Sequence, residues 1–199
     1  MTSPTPVEVR VLHAVRVLGY ADTERIAHRA DVSPDAALQP LGEAWRRGWV
    51  LPSSFAGDEG WSLTESGKAH DEDLMATELD ETGARGVVES AYRDFLPLNE
   101  VVTGALTAWQ LTEMGIGSHR ATLTDTIATL ETAATALAEI ERLLTSRLAR
   151  FSGYHHSFRT ALTHARATPA WIVGTDRDSC HRVWFELHED LIATLGLTR

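Results

Sequence analysis

The stretch from Thr23 to Val50, TERIAHRADVSPDAALQPLGEAWRRGWV, decides the fold of the N-terminal part of this 199-residue chain. Its apolar spacing predicts a short helix, a turn at Asp31-Val32 and a second helix that begins after Ser33. The Ser33 hydroxyl can accept a hydrogen bond from a free amide of the first turn, and Pro34 suits the first helical position. Gly48 is the expected end of that helix. The stretch therefore predicts a helix-turn-helix followed by a strand.

The second helix of this stretch has two chemically different faces. Ala37, Leu41 and Ala44 recur at helical spacing and are expected to face inward. The opposite face lies where a recognition helix contacts base edges and phosphates in the major groove of DNA. The residues predicted to contact DNA are Ser33, Asp35, Ala36, Gln39, Arg46 and Arg47.

Two features of the same helix oppose DNA binding. The carboxylates of Asp35 and Glu43 repel a phosphate backbone. Pro40 removes a backbone hydrogen bond inside the helix, at a cost of about 3 kcal/mol unless a bend relieves it. A packing or protein-contact module therefore remains an alternative to a DNA-binding one.

Residues on either side of this stretch complete the N-terminal module. Helical spacing from Val7 to Leu18 predicts a supporting first helix. Trp61-Ser62-Leu63 alternates as a strand does, and with Trp49-Val50-Leu51 it predicts a two-stranded wing around the turn-rich segment PSSFAGDEG. Thr64 is expected to cap the next helix. The predicted domain covers residues 1–82.

The predicted module is itself acidic. The wing tip carries Asp58 and Glu59, which are unsuited to contacts with phosphates, and His70 to Asp73 are expected to form a solvated charged face. The net charge of the chain is −10, and residues 1–80 hold 7 basic and 14 acidic side chains. Because DNA affinity comes largely from neutralised phosphates, DNA binding requires the arginines to be gathered on one face.

The sequence from 83 to 199 predicts an all-α domain. One helix is expected from Val87 to Leu96, stopped or kinked by Pro97, and a second from Leu98 to Met114. A long third helix has a heptad-like seam. An intramolecular bundle helix and a dimer interface explain this seam equally well. The seam residues are Leu123, Ile127, Leu130, Ala134, Leu137, Glu141, Leu144 and Leu148.

Stretches in both predicted domains resemble known proteins. The helix-turn-helix stretch is similar to the winged helix-turn-helix regulators of the MarR-like kind, and GWSLTESGKA from Gly60 resembles the end of the wing in MarR-like and PadR-like proteins. FLPLNEVVTGALTAWQ, residues 95–110, and DSCHRVWFELHEDLIATLGLTR, residues 178–199, resemble a bacterial winged-helix unit that also occurs in phosphoenolpyruvate-utilising (PEP-utilising) proteins. The MarR-like resemblance implies a transcriptional regulator, whereas the second resemblance implies the fold and supports the alternative of a protein-binding subunit. The acidic wing and Pro40 depart from the regulator pattern.

The last predicted helix, residues 176–195, holds the densest set of functional side chains. His181 and His188 are seven residues apart, roughly 10 Å along a helix, so one metal ion could not bind both directly. Core packing of the aromatic residues is the first explanation, with the histidines hydrogen-bonded. A pocket for an organic effector is the second. Its expected lining is Trp109, Tyr154, His181, Trp184 and His188.

No catalytic motif is present in the sequence, so an enzyme and a cofactor are not expected. The single cysteine, Cys180, excludes an intramolecular disulfide and is expected to be buried. The N-terminal MTSPTPVEVR lacks a signal-peptide pattern and no apolar run is long enough for a membrane span, which predicts a soluble cytoplasmic protein.

The sequence as a whole predicts a mainly α protein: an N-terminal winged helix-turn-helix of three helices and a two-stranded wing, followed by a helical bundle. The expected function is a transcriptional regulator that binds double-stranded DNA as a homodimer, with a candidate small-molecule effector in the domain of residues 83–199. The alternative is a regulatory subunit that binds protein rather than DNA, for instance in a PEP-utilising enzyme.

Overall fold

A computed structural model describes residues 4–55, 58–117 and 120–197. The protein is mainly α, with a small antiparallel sheet, as predicted. In chain order the elements are α1 (Val7–Leu18), β1 (Tyr20–Ala21), α2 (Thr23–Arg29), α3 (Pro34–Arg46), β2 (Val50–Phe55), β3 (Asp58–Leu63), α4 (Glu65–Thr82), α5 (Arg85–Glu113), α6 (Leu123–Thr145), α7 (Tyr154–Ala165) and α8 (Cys180–Leu195).

The chain divides into two compact units. The first consists of residues 1–86, 147–150 and 189–199, and the second of residues 87–146 and 151–188. The sequence-based division after residue 82 lies close to the first break, but two later segments belong with the N-terminal part. Helix α8 accordingly supplies its first nine residues to the second unit and its remaining residues to the first.

The sheet of the first unit has the strand order β1-β3-β2. Val50 pairs with Leu63 and Ser53 with Gly60 in the β2–β3 hairpin, and Tyr20 of β1 pairs with Ser62. Strand β1 was not predicted, because it has two residues and therefore no alternation to detect. Residues 52–55 and 58–60 were expected in the turn between the strands, whereas they belong to β2 and β3. Asp58 and Glu59, which were expected at the wing tip, are the first residues of β3, and residues 56–57 lie outside the described residues.

Local signals in the sequence explain where the helices of this unit begin and end. The Ser33 hydroxyl caps α3 by accepting a hydrogen bond from the backbone N–H of Ala36 at 3.2 Å. The Thr64 hydroxyl caps α4 in the same way, by accepting from the backbone N–H of Gly67 at 2.9 Å. Gly48 follows α3 with a positive φ of 73°. Helix α3 continues through Pro40. The predicted caps and the predicted stop are confirmed.

The core of the first unit lies among α1, α2, α3 and the sheet. The predicted inward residues Ala37, Leu41 and Ala44 are buried there, together with Ile26 and Val50. Helix α4 packs against α1. Close packing occurs where Gly67 meets the backbone of Trp49, because a Cβ atom on Gly67 would lie 1.9 Å from that carbonyl oxygen.

The second unit is helical, as predicted, with one difference from the sequence-based description. The expected end of a helix at Pro97 is wrong, because α5 runs without interruption from Arg85 to Glu113. The alternative, a kink at Pro97, stays a prediction. Most of the heptad seam is buried by the chain itself, which supports the bundle-helix interpretation. Its one polar member, Glu141, accepts hydrogen bonds from the backbone N–H groups of Gly153 (3.1 Å) and His155 (2.6 Å) at the start of α7.

Within the described residues, no helix is both long enough and apolar enough to cross a membrane.

Candidate nucleic-acid interface

Helix α3 presents one face to solvent. Its other face packs against α1 and α2, and its C-terminal end leads into β2. The buried residues recur at helical spacing and therefore leave a polar stripe on the opposite side. All six residues predicted to contact DNA are exposed: Ser33, Asp35, Ala36, Gln39, Arg46 and Arg47.

The two arginines of this face share one acidic partner. Nη1 of Arg46 lies 2.6 Å from Oε2 of Glu43, and Nε of Arg47 lies 2.8 Å from Oε1 of the same carboxylate. The hydrogen bond from Arg47, together with the charge of Arg46, lowers the pKa of Glu43. The Arg47 guanidinium also lies 4.9 Å from the ring centroid of Trp49. Exposed ion pairs of this kind are screened by solvent and contribute little to stability, so an incoming phosphate can displace Glu43 at little cost.

The same helix exposes two large apolar side chains. Leu38 and Trp45 are each 53 % exposed and lie seven residues apart, which places them on the same side of α3. Neither was among the contacts predicted from the sequence. Their signal was present in the spacing, because they fall between the buried stripe and the polar stripe.

The residues of the predicted effector pocket have different environments in the second unit. Trp184 is buried, donates a hydrogen bond to Oδ1 of Asn99 at 3.0 Å, and its ring packs against Phe95 with centroids 4.9 Å apart. The His188 ring lies 5.2 Å from the Phe95 ring. Phe95 therefore brings Trp184 and His188 together in a packed aromatic cluster.

The other three members of the predicted pocket lie in separate contacts. The Tyr154 hydroxyl donates to the Glu186 carbonyl at 3.5 Å. His181 is exposed, and its ring lies 6.4 Å from that of Phe185. Trp109 is 8 % exposed, and its buried indole N–H has no acceptor among the described residues.

A buried ionic cluster in the first unit was not predicted. Nδ1 of His13 lies 3.1 Å from Oδ2 of Asp71, and Nε2 lies 2.9 Å from Oδ1 of Asp190. Arg150 donates to the same Asp190 oxygen at 2.7 Å and to Oε2 of Glu78 at 2.8 Å. The expected solvated face from His70 to Asp73 is therefore wrong at Asp71, which is fully buried. A histidine among the apolar residues of α1 was the available sequence signal.

The pKa values of this cluster follow from its charges. Burial alone would lower the pKa of His13, but the carboxylates of Asp71 and Asp190 outweigh burial and raise the pKa to about 9. Burial would raise the pKa of Asp190, but Arg150 and His13 hold it well below its usual range. The imidazole is therefore a cation at neutral pH, and the cluster is an ion network.

Cys180 is buried, as predicted, and burial raises the pKa of its thiol to about 12. In the part of the chain that the structure describes, no three histidine, cysteine or carboxylate side chains are placed to hold a metal ion.

Comparison of the chain with protein-family models, curated proteins and solved structures found no match.

Proposed function

We propose that the protein is a transcriptional regulator of the winged helix-turn-helix kind, with α3 as its recognition helix. The observation that carries this proposal is the exposure of all six candidate contact residues on α3 and its two caps, while the opposite face of α3 packs against α1 and α2. The order α1-β1-α2-α3-β2-β3 and the antiparallel hairpin after α3 support it, because these are the parts of a winged helix. The β2–β3 hairpin would then be the wing.

The regulator would bind two half-sites as a homodimer, with a small-molecule effector in the helical unit. Half-sites about 34 Å apart match two recognition helices related by a twofold axis. The seam of α6 is buried within the chain, so the dimer needs another surface. Val101 and Met114, which are 56 % and 63 % exposed on or just after α5, offer apolar area for such contacts.

The Arg46→Ala/Arg47→Ala double variant tests DNA binding. Each arginine–phosphate interaction that is removed is expected to reduce the slope of log K against log salt by about 1, so the double variant should lose about 2, at every duplex sequence. The matched control is Arg142→Ala/Arg166→Ala, which removes two exposed arginines that are also paired with glutamates but lie in the second unit. Equal loss of DNA binding in both double variants would contradict a role for α3.

Glu43→Gln provides the opposite test at the same place. The substitution removes a negative charge and the partner of both arginines, so the affinity for duplex DNA is expected to rise. Glu139→Gln removes one exposed carboxylate from an equivalent pair and is expected to leave affinity unchanged. A Glu43→Gln variant with unchanged or lower affinity would argue that Arg46 and Arg47 do not contact phosphates.

A protein-binding subunit, for example of a PEP-utilising enzyme, is the second candidate. The exposure of Leu38 and Trp45 on one side of α3 favours it, because aromatic and apolar side chains are enriched in protein interfaces and charged ones are depleted. Retention of no duplex at low salt, combined with loss of a protein partner in a Trp45→Ala variant, would favour this function over DNA binding.

A further inference from the structure

The exposed face of α3 has a definite chemical order. Residues along its midline recur at spacings of four, three and four, so they lie on one side of the helix. Ala36 lies on one flank of this midline and Leu38 on the other. From the start of the helix to its end, the midline residues are Asp35, Gln39, Gly42 and Arg46.

Cations are confined to the last turn of this helix. Arg46 and Arg47 lie at its end, and the segment PDAALQPL from Pro34 to Leu41 contains no lysine or arginine. A recognition helix contacts base edges with its N-terminal residues, and arginine or lysine is the usual donor to guanine. The base-contacting part of α3 therefore lacks the side chains that recognise guanine.

Three uncharged side chains there, Ala36, Leu38 and Gln39, match adenine and thymine. The amide of Gln39 can form a bidentate pair with N6 and N7 of adenine, and apolar groups such as Ala36 and Leu38 pack against the thymine methyl group. We infer that the face formed by Ala36, Leu38, Gln39 and Gly42 recognises A·T base pairs in the major groove. This inference rests on the proposed function and specifies the class of operator that α3 binds.

Gly42 is the second observation behind this inference. Glycine inside a helix is unfavourable, and a Cβ atom on Gly42 would meet nothing within 4 Å, so packing within the protein does not require glycine. Gly42 lies one turn after Gln39 on the midline. Its missing side chain leaves room for a close approach of the duplex to the helix backbone.

The first experiment selects duplexes from a random pool with the full-length protein and compares Gln39→Ala with the unmodified chain. We expect A·T-rich half-sites from the selection. Gln39→Ala should weaken binding to the selected site by about 5- to 140-fold and should relax preference at one base pair. Gln110→Ala, which removes an exposed glutamine from α5, is the matched control and should bind as the unmodified chain does.

Modified bases test the individual contacts. Replacing thymine by uracil removes only the methyl group, and replacing adenine by 7-deazaadenine removes only the N7 acceptor. Affinity should fall with uracil for the unmodified chain but change less for Leu38→Ala. It should fall with 7-deazaadenine for the unmodified chain but not for Gln39→Ala. Equal responses of variant and unmodified chain to both modified bases would overturn the inference.

Gly42→Ala separates binding from folding. The added methyl group should raise the denaturation midpoint, because it removes a helical glycine, while it weakens duplex binding. Gly104→Ala in α5 also adds a methyl group in open space and should raise the midpoint without affecting binding. Unimpaired binding by Gly42→Ala would contradict the close approach.

The two proposals fail in different ways. Selection of G·C-rich sites, or of sites that bind Gln39→Ala equally well, would overturn A·T recognition and leave DNA binding in place. Retention of no duplex from the pool at low salt would overturn both.

Discussion

Nε2 of His13 lies 2.9 Å from Oδ1 of Asp190, although the two residues are 177 positions apart in the chain. Both side chains are buried, and both belong to the first unit. A helix near the N-terminus is thus joined to the last turns of α8 by a charged hydrogen bond. Because removal of one partner leaves the other charge buried, this contact ties the stability of the N-terminal module to the C-terminal end of the chain.

The first prediction concerns pH. The pKa of His13 is about 9 in the folded protein, above its ordinary value of 6.5, because Asp71 and Asp190 outweigh the effect of burial. The stabilisation that protonated His13 gives to the folded protein is therefore complete below pH 6.5, declines as pH rises, and is lost above about pH 9. Urea unfolding of the unmodified chain should show this decline relative to His13→Gln, which cannot titrate there. A difference between the two proteins that stays constant from pH 6.5 to 9 would contradict the assignment.

Arg150 supplies the second prediction. It donates to Asp190 and Glu78, and its side chain is 4 % exposed. Arg150→Met should lower the free energy of unfolding by about 3–5 kcal/mol, because two carboxylates lose their buried partner. Arg142→Met removes an exposed arginine paired with Glu139 and should change the free energy of unfolding by less than about 1 kcal/mol. Similar values for the two variants in urea unfolding would show that the cluster is not a source of stability.

The sequence predicted elements whose signals are local. Ser33, Thr64 and Gly48 act through hydrogen bonds or backbone conformation within a few residues, and the inward face of α3 follows from its own periodicity. The exposure of the six candidate contact residues follows from the same periodicity. Helix α5 does not end at Pro97, so the local penalty of a proline did not predict where this helix ends.

Contacts between distant residues could not be predicted in this way. Asp71 lies in an acidic run that is typical of a solvated surface, and only its partner His13, 58 positions earlier, explains its burial. Nothing local indicates that Arg150 and Asp190 contact His13 and each other. The cluster of Trp184 and His188 likewise depends on Phe95, which packs on both rings from another helix.

Gly67 leads to a third prediction. A Cβ atom there would lie 1.9 Å from the carbonyl oxygen of Trp49, which already accepts a hydrogen bond from the backbone N–H of Thr64 at 2.9 Å. Gly67→Ala should therefore destabilise the protein by about 1–3 kcal/mol, since α4 must move away from the start of β2. Gly104→Ala, in open space on α5, should instead stabilise it by up to about 1 kcal/mol. Thermal unfolding of the two variants should give midpoint shifts of opposite sign.

The fourth prediction compares two buried tryptophans of the second unit. The Trp184 indole N–H donates to Asn99, whereas the Trp109 indole N–H has no acceptor among the described residues. Replacement by phenylalanine removes a hydrogen bond at the first position and an unsatisfied donor at the second. Trp184→Phe should therefore cost about 1–3 kcal/mol in unfolding free energy, and Trp109→Phe should cost clearly less.

A double-mutant cycle with Asn99→Ala isolates the hydrogen bond from the change in side-chain volume. Coupling of about 0.5–1.5 kcal/mol is expected between Trp184 and Asn99, and the Trp109 variant should add to Asn99→Ala without coupling. If Trp109→Phe is as destabilising as Trp184→Phe, the Trp109 N–H has a partner. If it stabilises the protein, the unsatisfied donor costs more than the packing of the larger indole ring contributes, and an acceptor on a bound effector would then have a specific group to contact.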